Sequence, residues 1–502
     1  MKLNVKSLAF GAAILTASQI FSQAVGFAFR VALSRMVGAE GMGLYQLIMP
    51  AYSVVMSVTA YGLTVAVSKL SASYSAVGGQ ATVRRLVRLA LWVFFALLGA
   101  AAIIIAPLSD WISVTLLSDA RTRLGLLLLL PCIFFTGIEN ICKNYFYGIR
   151  EVRPPAITEV IEQLLRTACV LGLLSVLRPA HLEWAVGVIV IGMVLCEIVS
   201  ASMLGFFYIR HMRKTPPGGS RLSDGPKPAK LLGEMAGVAI PVGASMLIAN
   251  LLGSINTIII PNRLMASGMG QTEALSAYGV AFGMTLPLTA LPSVFVIPLS
   301  LTLMPRIAHY AALNDRAGLQ TQVRRTLRLA AALVLPSCLL LMPLGPFMAR
   351  SLFTDSQAGR YIEVLAVTQV FSCFQYLMNS LLNGMGKQRR GAVNLLLSDA
   401  VQLILTWYAV AVPELRLTGF VAAHLLTTAM CAILNLKAVT RTAGIYLSLD
   451  KWLIGPLLAA ATATGGVYAV LFWMDGAGAA AVLPALFCGL GLYALLYRLT
   501  RR

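Results

Sequence analysis

The sequence predicts an all-α polytopic membrane protein with about 14 transmembrane helices, built as two pseudo-symmetric six-helix lobes plus helices 13 and 14. Three observations support this prediction. Hydrophobic residues make up 58% of the 502 residues and charged residues only 12%. Apolar runs long enough to cross a bilayer follow one another along the chain, and the pattern of the first half recurs in the second. Soluble domains carry about 25% charged residues, which excludes an ordinary soluble enzyme, a secreted disulfide scaffold and a disordered chain.

The apolar runs supply fourteen candidate spans, since a helix needs about 20 mostly apolar residues to cross the hydrocarbon core. In chain order they are roughly 9–29, 44–68, 89–107, 124–146, 156–177, 184–208, 235–261, 276–303, 327–349, 361–383, 393–412, 417–438, 452–473 and 478–497. The first run continues too far for a signal peptide, so we expect an uncleaved helix. The stretch 210–234, which contains Thr-Pro-Pro-Gly-Gly-Ser, is the one clear linker.

The distribution of charge predicts the orientation in the membrane. Lys and Arg total 39 against 19 Asp and Glu, which gives a formal net charge of +20. With a cytoplasmic N-terminus, all ten lysines fall on the cytoplasmic side, as the positive-inside rule requires. We therefore expect a multi-pass protein of the cytoplasmic (inner) membrane with both termini in the cytoplasm. The sequence has no zinc-ligand spacing, Arg/Gly tract or RNA-binding signature, so no nucleic-acid partner is expected.

The two halves of the chain resemble each other at an offset near 236 residues. The octet VRRLVRLA at 83–90 recurs as VRRTLRLA at 323–330, which is 240 residues later. Six helices separate equivalent points, so both copies have the same topology; this indicates a two-lobed transporter with its site near the midplane between the lobes. The predicted divisions are an N-lobe at 1–209 (helices 1–6), a cytoplasmic linker at 210–234, a C-lobe at 235–445 (helices 7–12) and helices 13–14 at 446–502.

Polar side chains follow one face of several predicted helices. Helix 1 carries Gln19, Gln23, Gly26 and Arg30 at steps of three and four, and helix 7 repeats this design. These faces line a cavity or form an interhelical hydrogen-bond seam. In a cavity, two equivalent arginines suit phosphate, because a guanidinium donates two parallel hydrogen bonds. The substrate-binding candidates are Gln23, Arg30, Asn256 and Arg263, with Gln369, Gln375 and Asn379 on helix 10 for sugar hydroxyls or for packing.

Ionisable residues inside the predicted spans indicate ion pairs and a coupling site. Glu139 with Lys143, and Glu162 with Arg166, are spaced i,i+4 and predict two structural ion pairs. Glu197 lies close to mid-membrane with no partner evident in the sequence. The candidates for a coupling cation, Na+ or H+, are Glu162, Glu197 and Asp399, and a satisfied structural carboxylate is the alternative. No cofactor or bound metal is expected, because the chain has no clustered His and Cys ligands.

The sequence does not predict an enzyme. It has no Walker loop, H-E-x-x-H motif or nucleophile elbow. The first outer loop also lacks the dense carboxylates expected of a membrane glycosyltransferase, with Glu40 as its one acidic residue.

Several segments resemble one family of membrane proteins. They are Ser22–Phe27 (SQAVGF), Arg35–Gln46 (RMVGAEGMGLYQ), Ala66–Lys69 (AVSK), Tyr145–Gly148 (YFYG) and Pro154–Arg166 (PPAITEVIEQLLR). These segments are similar to the polysaccharide flippase branch of the multidrug/oligosaccharidyl-lipid/polysaccharide (MOP) exporter superfamily. Within that branch they are similar to the stage V sporulation protein B group, close to the lipid II flippases. The resemblance covers nearly the whole chain.

The resemblance implies a flippase that translocates a polyprenyl-pyrophosphate-linked oligosaccharide, lipid II or a related cell-envelope precursor, by alternating access. It implies a cationic cavity in which Arg30 matches an arginine that binds the pyrophosphate, and a lipid-tail groove formed by helices 13–14. It also implies roles in polysaccharide or peptidoglycan synthesis and sporulation, with cell-wall synthesis proteins as partners. In this chain Gln23 stands where lipid II flippases have another arginine, and Val31 stands where they have an acidic residue.

Two other functions are compatible with the sequence. A multidrug/cation antiporter of the same superfamily needs an acidic cavity and usually lacks helices 13–14. A non-transporting scaffold of an envelope or sporulation complex would use the polar faces as helix–helix seams.

Overall fold

The computed structural model describes residues 5–76, 79–214, 226–353, 355–446, 450–474 and 481–500, and within these ranges the chain is helical without any strand. The predicted all-α class is confirmed. Helices are the expected form for this composition, because in lipid a helix satisfies its backbone hydrogen bonds within one segment. Residues 215–225 of the predicted linker lie outside the described residues.

The chain forms two compact units. The first unit comprises Met1–Val37 and Leu44–Ile258, and the second comprises Gly38–Gly43 and Ile259–Arg502. The short piece 38–43 packs within the second unit on Gly279, where a Cβ would lie 1.9 Å from the carbonyl oxygen of Ala39. Glycine is therefore required at this approach. The predicted lobe divisions follow the repeat in the sequence and stay a prediction.

Helices of the first unit place three polar helix faces together. The unit contains α1 (Val5–Met56), α2 (Gly62–Ala76), α3 (Gln80–Trp111), α4 (Thr122–Gly148), α5 (Arg153–Leu177), α6 (Leu182–Lys214) and most of α7 (Pro228–Ala266). The helix α6 packs against both α4 and α5. Phe94 on α3 covers Gly137 on α4, where a Cβ would lie 2.0 Å from the ring, so α3 closes the opposite side of α4.

The second unit has a continuous apolar core. It contains α8 (Gln271–Tyr278), α9 (Leu286–Thr289), α10 (Ser293–Ala312), α11 (Arg316–Leu339), α12 (Leu341–Leu352), α13 (Ile362–Gly384), α14 (Gln388–Ala409), α15 (Leu417–Ala443), α16 (Gly455–Trp473) and α17 (Val482–Thr500). Val323 of α11, Leu381 of α13 and Ala463 of α16 are fully buried in one cluster, to which Ala485 of α17 also belongs. The last two helices, which lie outside the predicted repeat, thus pack on this unit.

Eleven helices among the described residues are long and apolar enough to cross a bilayer, or up to twelve when a bent pair counts as one span. The predicted count of fourteen is not confirmed. Predicted spans 9–29 and 44–68 run into one helical segment, with a non-helical backbone at Gly38 (φ 72°). Its 60 residues from Ala17 to Ala76 correspond to a summed helix length of roughly 90 Å, about three times the thickness of the hydrocarbon core. This one segment is therefore long enough for more than one crossing.

Prolines break two further predicted spans. The bent pair is α11 with α12, which meet at 47°. Pro343 lies in the first turn of α12 and cannot donate to the carbonyl of Leu339, which interrupts the helical ladder there. The predicted span 276–303 is divided by a π-helical stretch, Gly279–Thr285, and by the short helix α9 before Pro292.

Candidate functional site

Three carboxylates from three helices of the first unit, two of them buried and one partly buried, lie together. They are Glu139 on α4, Glu162 on α5 and Glu197 on α6, and one oxygen of each lies within 4.8 Å of the others. Glu139 and Glu197 are each only 2% exposed. We call these three residues the acidic cluster. Like charges at such distances repel strongly when they are removed from water, so the cluster requires neighbouring cations.

Two basic side chains supply that charge. Lys143 Nζ lies 3.0 Å from Glu139 Oε1, one helical turn along α4. Arg166 Nη2 contacts Glu162 Oε1 one turn along α5, and also donates to Glu197 Oε1 at 2.9 Å. Both pairs expected from the i,i+4 spacing are present. With all five groups ionised, the assembly carries one net negative charge, so it can accept one proton or one monovalent cation.

Glu197 corrects the sequence interpretation, which found no partner for it. The partner is Arg166, which is 31 residues away in sequence and reaches Glu197 because α5 packs on α6. Glu139 was expected only as half of a structural pair, yet it belongs to the same cluster as the coupling candidates. The short-range spacing identified each pair but could not reveal that the two pairs meet.

The cluster also contains buried polar atoms without a hydrogen bond to the described residues. They include Glu197 Oε2 and Arg166 Nε. An unsatisfied buried acceptor destabilises the fold by about 1–3 kcal/mol, and more when it is charged. Glu197 Oε2 is therefore a buried acceptor without a hydrogen bond to a described residue.

The polar face of α1 contributes differently along its length. Gln19 Nε2 donates to Glu159 Oε1 at 2.5 Å, and Gln163 packs on Gly26, so this part forms the interhelical seam that was the alternative interpretation. Gln23 and Arg30 are exposed, and neither makes a hydrogen bond or ion pair with a described residue. These two side chains are therefore available to a ligand.

The predicted counterparts on α7 differ from one another in their contacts. Asn250 donates to Ser57 Oγ at 2.7 Å, whereas Asn256 Oδ1 is buried without a hydrogen bond to a described residue. Arg263 Nε donates to the carbonyl oxygen of Trp407 at 3.0 Å, and the guanidinium carbon lies 4.3 Å from the centre of the indole ring. The two arginines that were expected to be equivalent therefore differ in their contacts. Arg263 contacts Trp407 on α14, whereas Arg30 makes no hydrogen bond or ion pair with a described residue.

A polar pocket of about 460 Å³ lies within the second unit between α13, α14 and α15. Gln375, Asn379 and Asp399 line it, as do three residues that the sequence interpretation left outside the site: Gln402, His424 and Asn435. Asp399 makes no hydrogen bond or ion pair with a described residue. The pocket offers amide, hydroxyl and imidazole groups and a single carboxylate, a set suited to hydrogen-bonding with hydroxyls.

Gln369 does not belong to this pocket. Its Nε2 donates to Ser293 Oγ at 3.2 Å, on α10. The three candidates predicted on this helix therefore have different surroundings. Gln369 contributes to helix packing, while Gln375 and Asn379 line the pocket.

Comparison with known proteins gives the family. Residues 8–311 match the model described as "Polysaccharide biosynthesis protein", and residues 236–408 match the model named MatE. Stage V sporulation protein B of Bacillus subtilis is 26% identical over 86% of this chain and 82% of that protein.

Solved structures support the same fold. "Lipid II flippase MurJ, inward closed conformation" aligns with a TM-score of 0.70 and 13% identity, over 96% of this chain and 98% of that one. An inward-facing multidrug resistance MATE family transporter of the MOP superfamily aligns with a TM-score of 0.67 and 14% identity, over 87% of this chain and 100% of that one. The family and the fold are those of membrane transporters rather than enzymes. Because the first family model spans more than half of the sequence, the chain belongs to the polysaccharide biosynthesis protein family.

Proposed function

We propose that this protein is a flippase that translocates a polyprenyl-pyrophosphate-linked oligosaccharide, lipid II or a related cell-envelope precursor, by alternating access. The observation that carries the proposal is the unpartnered guanidinium of Arg30, in a chain similar to stage V sporulation protein B over most of its length. Arg30 is exposed and makes no hydrogen bond or ion pair with a described residue, so its guanidinium is available to an anionic ligand. A pyrophosphate suits it, since it accepts two parallel hydrogen bonds from one guanidinium.

The pocket of the second unit supports a sugar as the rest of the substrate. Gln375 and Asn379 present amides that both donate and accept hydrogen bonds, as sugar hydroxyls require. In this proposal the pocket residues of the second unit bind sugar hydroxyls.

The acidic cluster is the proposed coupling site. Its single net negative charge and the unpaired Oε2 of Glu197 fit one proton or one Na+. Binding of the cation would release Arg166 from one of its two carboxylates, which links occupancy to the packing of α5 against α6.

We propose the cytoplasmic membrane as the location, with both termini in the cytoplasm and with cell-wall synthesis proteins as neighbours. The placement of all ten lysines on the cytoplasmic side in the predicted topology supports this orientation. Reporter fusions at residues 2 and 502 should both be active only as cytoplasmic reporters, and an externally active fusion at either end would contradict the topology.

Transport of fluorescent lipid II in proteoliposomes tests the substrate. Arg30→Ala should lower the rate at least about tenfold, because one charge-assisted hydrogen-bonding group is lost at the pyrophosphate. Arg178→Ala is the matched control, since Arg178 is an exposed arginine of the same unit whose side chain donates to the carbonyl oxygen of Ser175. Equal rates for wild type and Arg30→Ala, with both proteins folded, would overturn the assignment of Arg30.

The antiporter alternative is favoured by the alignment with the MATE transporter. It predicts export of ethidium from vesicles by the wild-type protein. Movement of lipid II without movement of ethidium would exclude it, and the reverse result would replace the flippase proposal.

A further inference from the structure

A basic groove lies on the second unit, apart from the acidic cluster and from the polar pocket. It has a volume of about 510 Å³ and runs between residues 321–333 of α11 and the end of α17. Its lining residues are Thr321, Arg324, Arg325, Arg328, Leu329, Ala332, Leu333 and Tyr497. The binding roles proposed above for the pyrophosphate, the glycan and the coupling cation use none of them.

The spacing of α11 forces these arginines away from the protein core. Val323 and Leu327 are fully buried in the apolar cluster, so the opposite face of α11 points away from the core. Arg324, Arg325 and Arg328 lie on that outward face at steps of one, three and four residues, and all three are exposed.

The three guanidiniums have no counter-charge among the described residues. None of them makes a hydrogen bond or an ion pair there. A second depression of about 460 Å³ shares Arg325 and adds Arg306 and His309 from α10. Like charges on adjacent turns repel, so the region has an unmatched positive potential that favours an anion.

The next turn of the groove is apolar. Leu329 and Leu333 are 43% and 50% exposed. Tyr493 Oη donates to the carbonyl oxygen of Ala332 at 2.8 Å, and its ring stacks on that of Tyr497 at 5.6 Å, which holds the wall of the groove in place. A basic end that continues into an apolar channel along a membrane helix matches a molecule with an anionic head and an acyl tail.

We propose that this groove binds the phosphate headgroup of an anionic bilayer phospholipid from the cytoplasmic leaflet. The arginines hold the phosphate while Leu329, Leu333 and Tyr497 contact the proximal part of an acyl chain. Because the wall is formed by α17, the bound lipid joins the last helix to α11 and stabilises the second unit.

The repeat provides a matched control for this proposal. Arg325→Gln/Arg328→Gln and Arg85→Gln/Arg88→Gln each remove two exposed arginines from equivalent positions of the repeated octet. The purified proteins would be titrated in micelles with phosphatidylglycerol or phosphatidylcholine, with bound lipid counted by native mass spectrometry and thermal stability recorded.

We expect phosphatidylglycerol to bind the wild type and raise its melting temperature more than phosphatidylcholine does. Arg325→Gln/Arg328→Gln should weaken this binding at least about tenfold, and Arg85→Gln/Arg88→Gln less than about twofold. Equal losses in the two variants would mean non-specific attraction to charge and would overturn the proposal. So would equal binding of the two lipids by the wild type.

A second measurement needs no variant. A phosphatidylglycerol with a photoreactive group near its headgroup should label the wild-type peptides that contain Leu329–Leu333 or Tyr497. Labelling elsewhere would refute the site. Undecaprenyl phosphate that displaces the probe while excess phosphatidylglycerol does not would assign the groove to the transported lipid instead. Arg30→Ala should leave this labelling unchanged, so failure of the flippase proposal and failure of the lipid site are distinguishable.

Discussion

The acidic cluster of the first unit and the polar pocket of the second unit occupy equivalent positions of the internal repeat. At an offset of 236 residues, Glu139 and Lys143 on α4 align with Gln375 and Asn379 on α13. The helices themselves end in register, at Gly148 and at Gly384. On the next helix of each unit, the same offset aligns Glu162 with Ser398 and Arg166 with Gln402.

Each of these four charged residues thus has a neutral polar counterpart. The same helical scaffold builds a titratable ion network in one unit and a hydrogen-bonding pocket of about 460 Å³ in the other. The charged groups of the first unit pair with one another, whereas the neutral groups of the second unit line a cavity. We infer that the duplicated helices have divided two tasks, ion coupling and recognition of neutral groups.

The largest expected effect comes from removing the central cation of the first unit. Arg166→Met leaves Glu162 and Glu197 without their shared partner, and we expect a loss of about 3–5 kcal/mol in the free energy of unfolding. Gln402→Met at the equivalent position should change it by less than about 1 kcal/mol, because no ion pair is broken. Reversible denaturation in mixed micelles measures both. Similar losses would contradict the division between the units.

The second prediction separates the two candidate locations of the coupling ion. Glu197→Gln removes one titratable group but keeps its shape, and gradient-driven flipping should fall at least about tenfold while binding of lipid II is retained. Asp399→Asn should preserve the response to the gradient. The measurement is lipid II transport in proteoliposomes with and without an imposed H+ or Na+ gradient. If Asp399→Asn abolishes the response and Glu197→Gln does not, the coupling site lies in the second unit.

The third prediction concerns the pocket. Gln375→Ala and Asn379→Ala should each raise the apparent KM for the glycan-bearing substrate roughly 3- to 10-fold, the value of one neutral hydrogen bond. Gln369→Ala is the control from the same helix, since its side chain bonds to Ser293 instead, and its KM should change less than about twofold. A larger effect of Gln369→Ala would place the glycan elsewhere on α13.

The smallest effect should come from copying the second unit into the first. Glu139→Gln/Lys143→Asn replaces a buried ion pair by the neutral residues of its repeat equivalent, and we expect the free energy of unfolding to change by less than about 1 kcal/mol. Lys143→Asn alone leaves Glu139 without its cation and should lower the free energy of unfolding by about 3 kcal/mol. If the single and double variants lose the same stability, Lys143 does not compensate Glu139.

Regularities of short range were predictable from the sequence. Composition and apolar run length led to the membrane and the all-α class, because both follow from local transfer free energies. The i,i+4 rule found Lys143 beside Glu139 and Arg166 beside Glu162, since one helical turn brings those side chains together in any context. Helix breaks were harder to predict from the sequence. Because of the kink at Gly38 and the bend before Pro343, the observed helices differ in number from the predicted spans.

The sequence by itself thus determined the membrane environment, the all-α fold class, the internal repeat and the two i,i+4 ion pairs of this protein. Only the tertiary structure decided that the two pairs share one cluster, that Arg263 is held by Trp407 while Arg30 is free, and that Gln369 leaves the pocket to Gln375 and Asn379. The physical reason is range: backbone geometry sets which residues share a helix face, but the packing of one helix on another sets what that face meets.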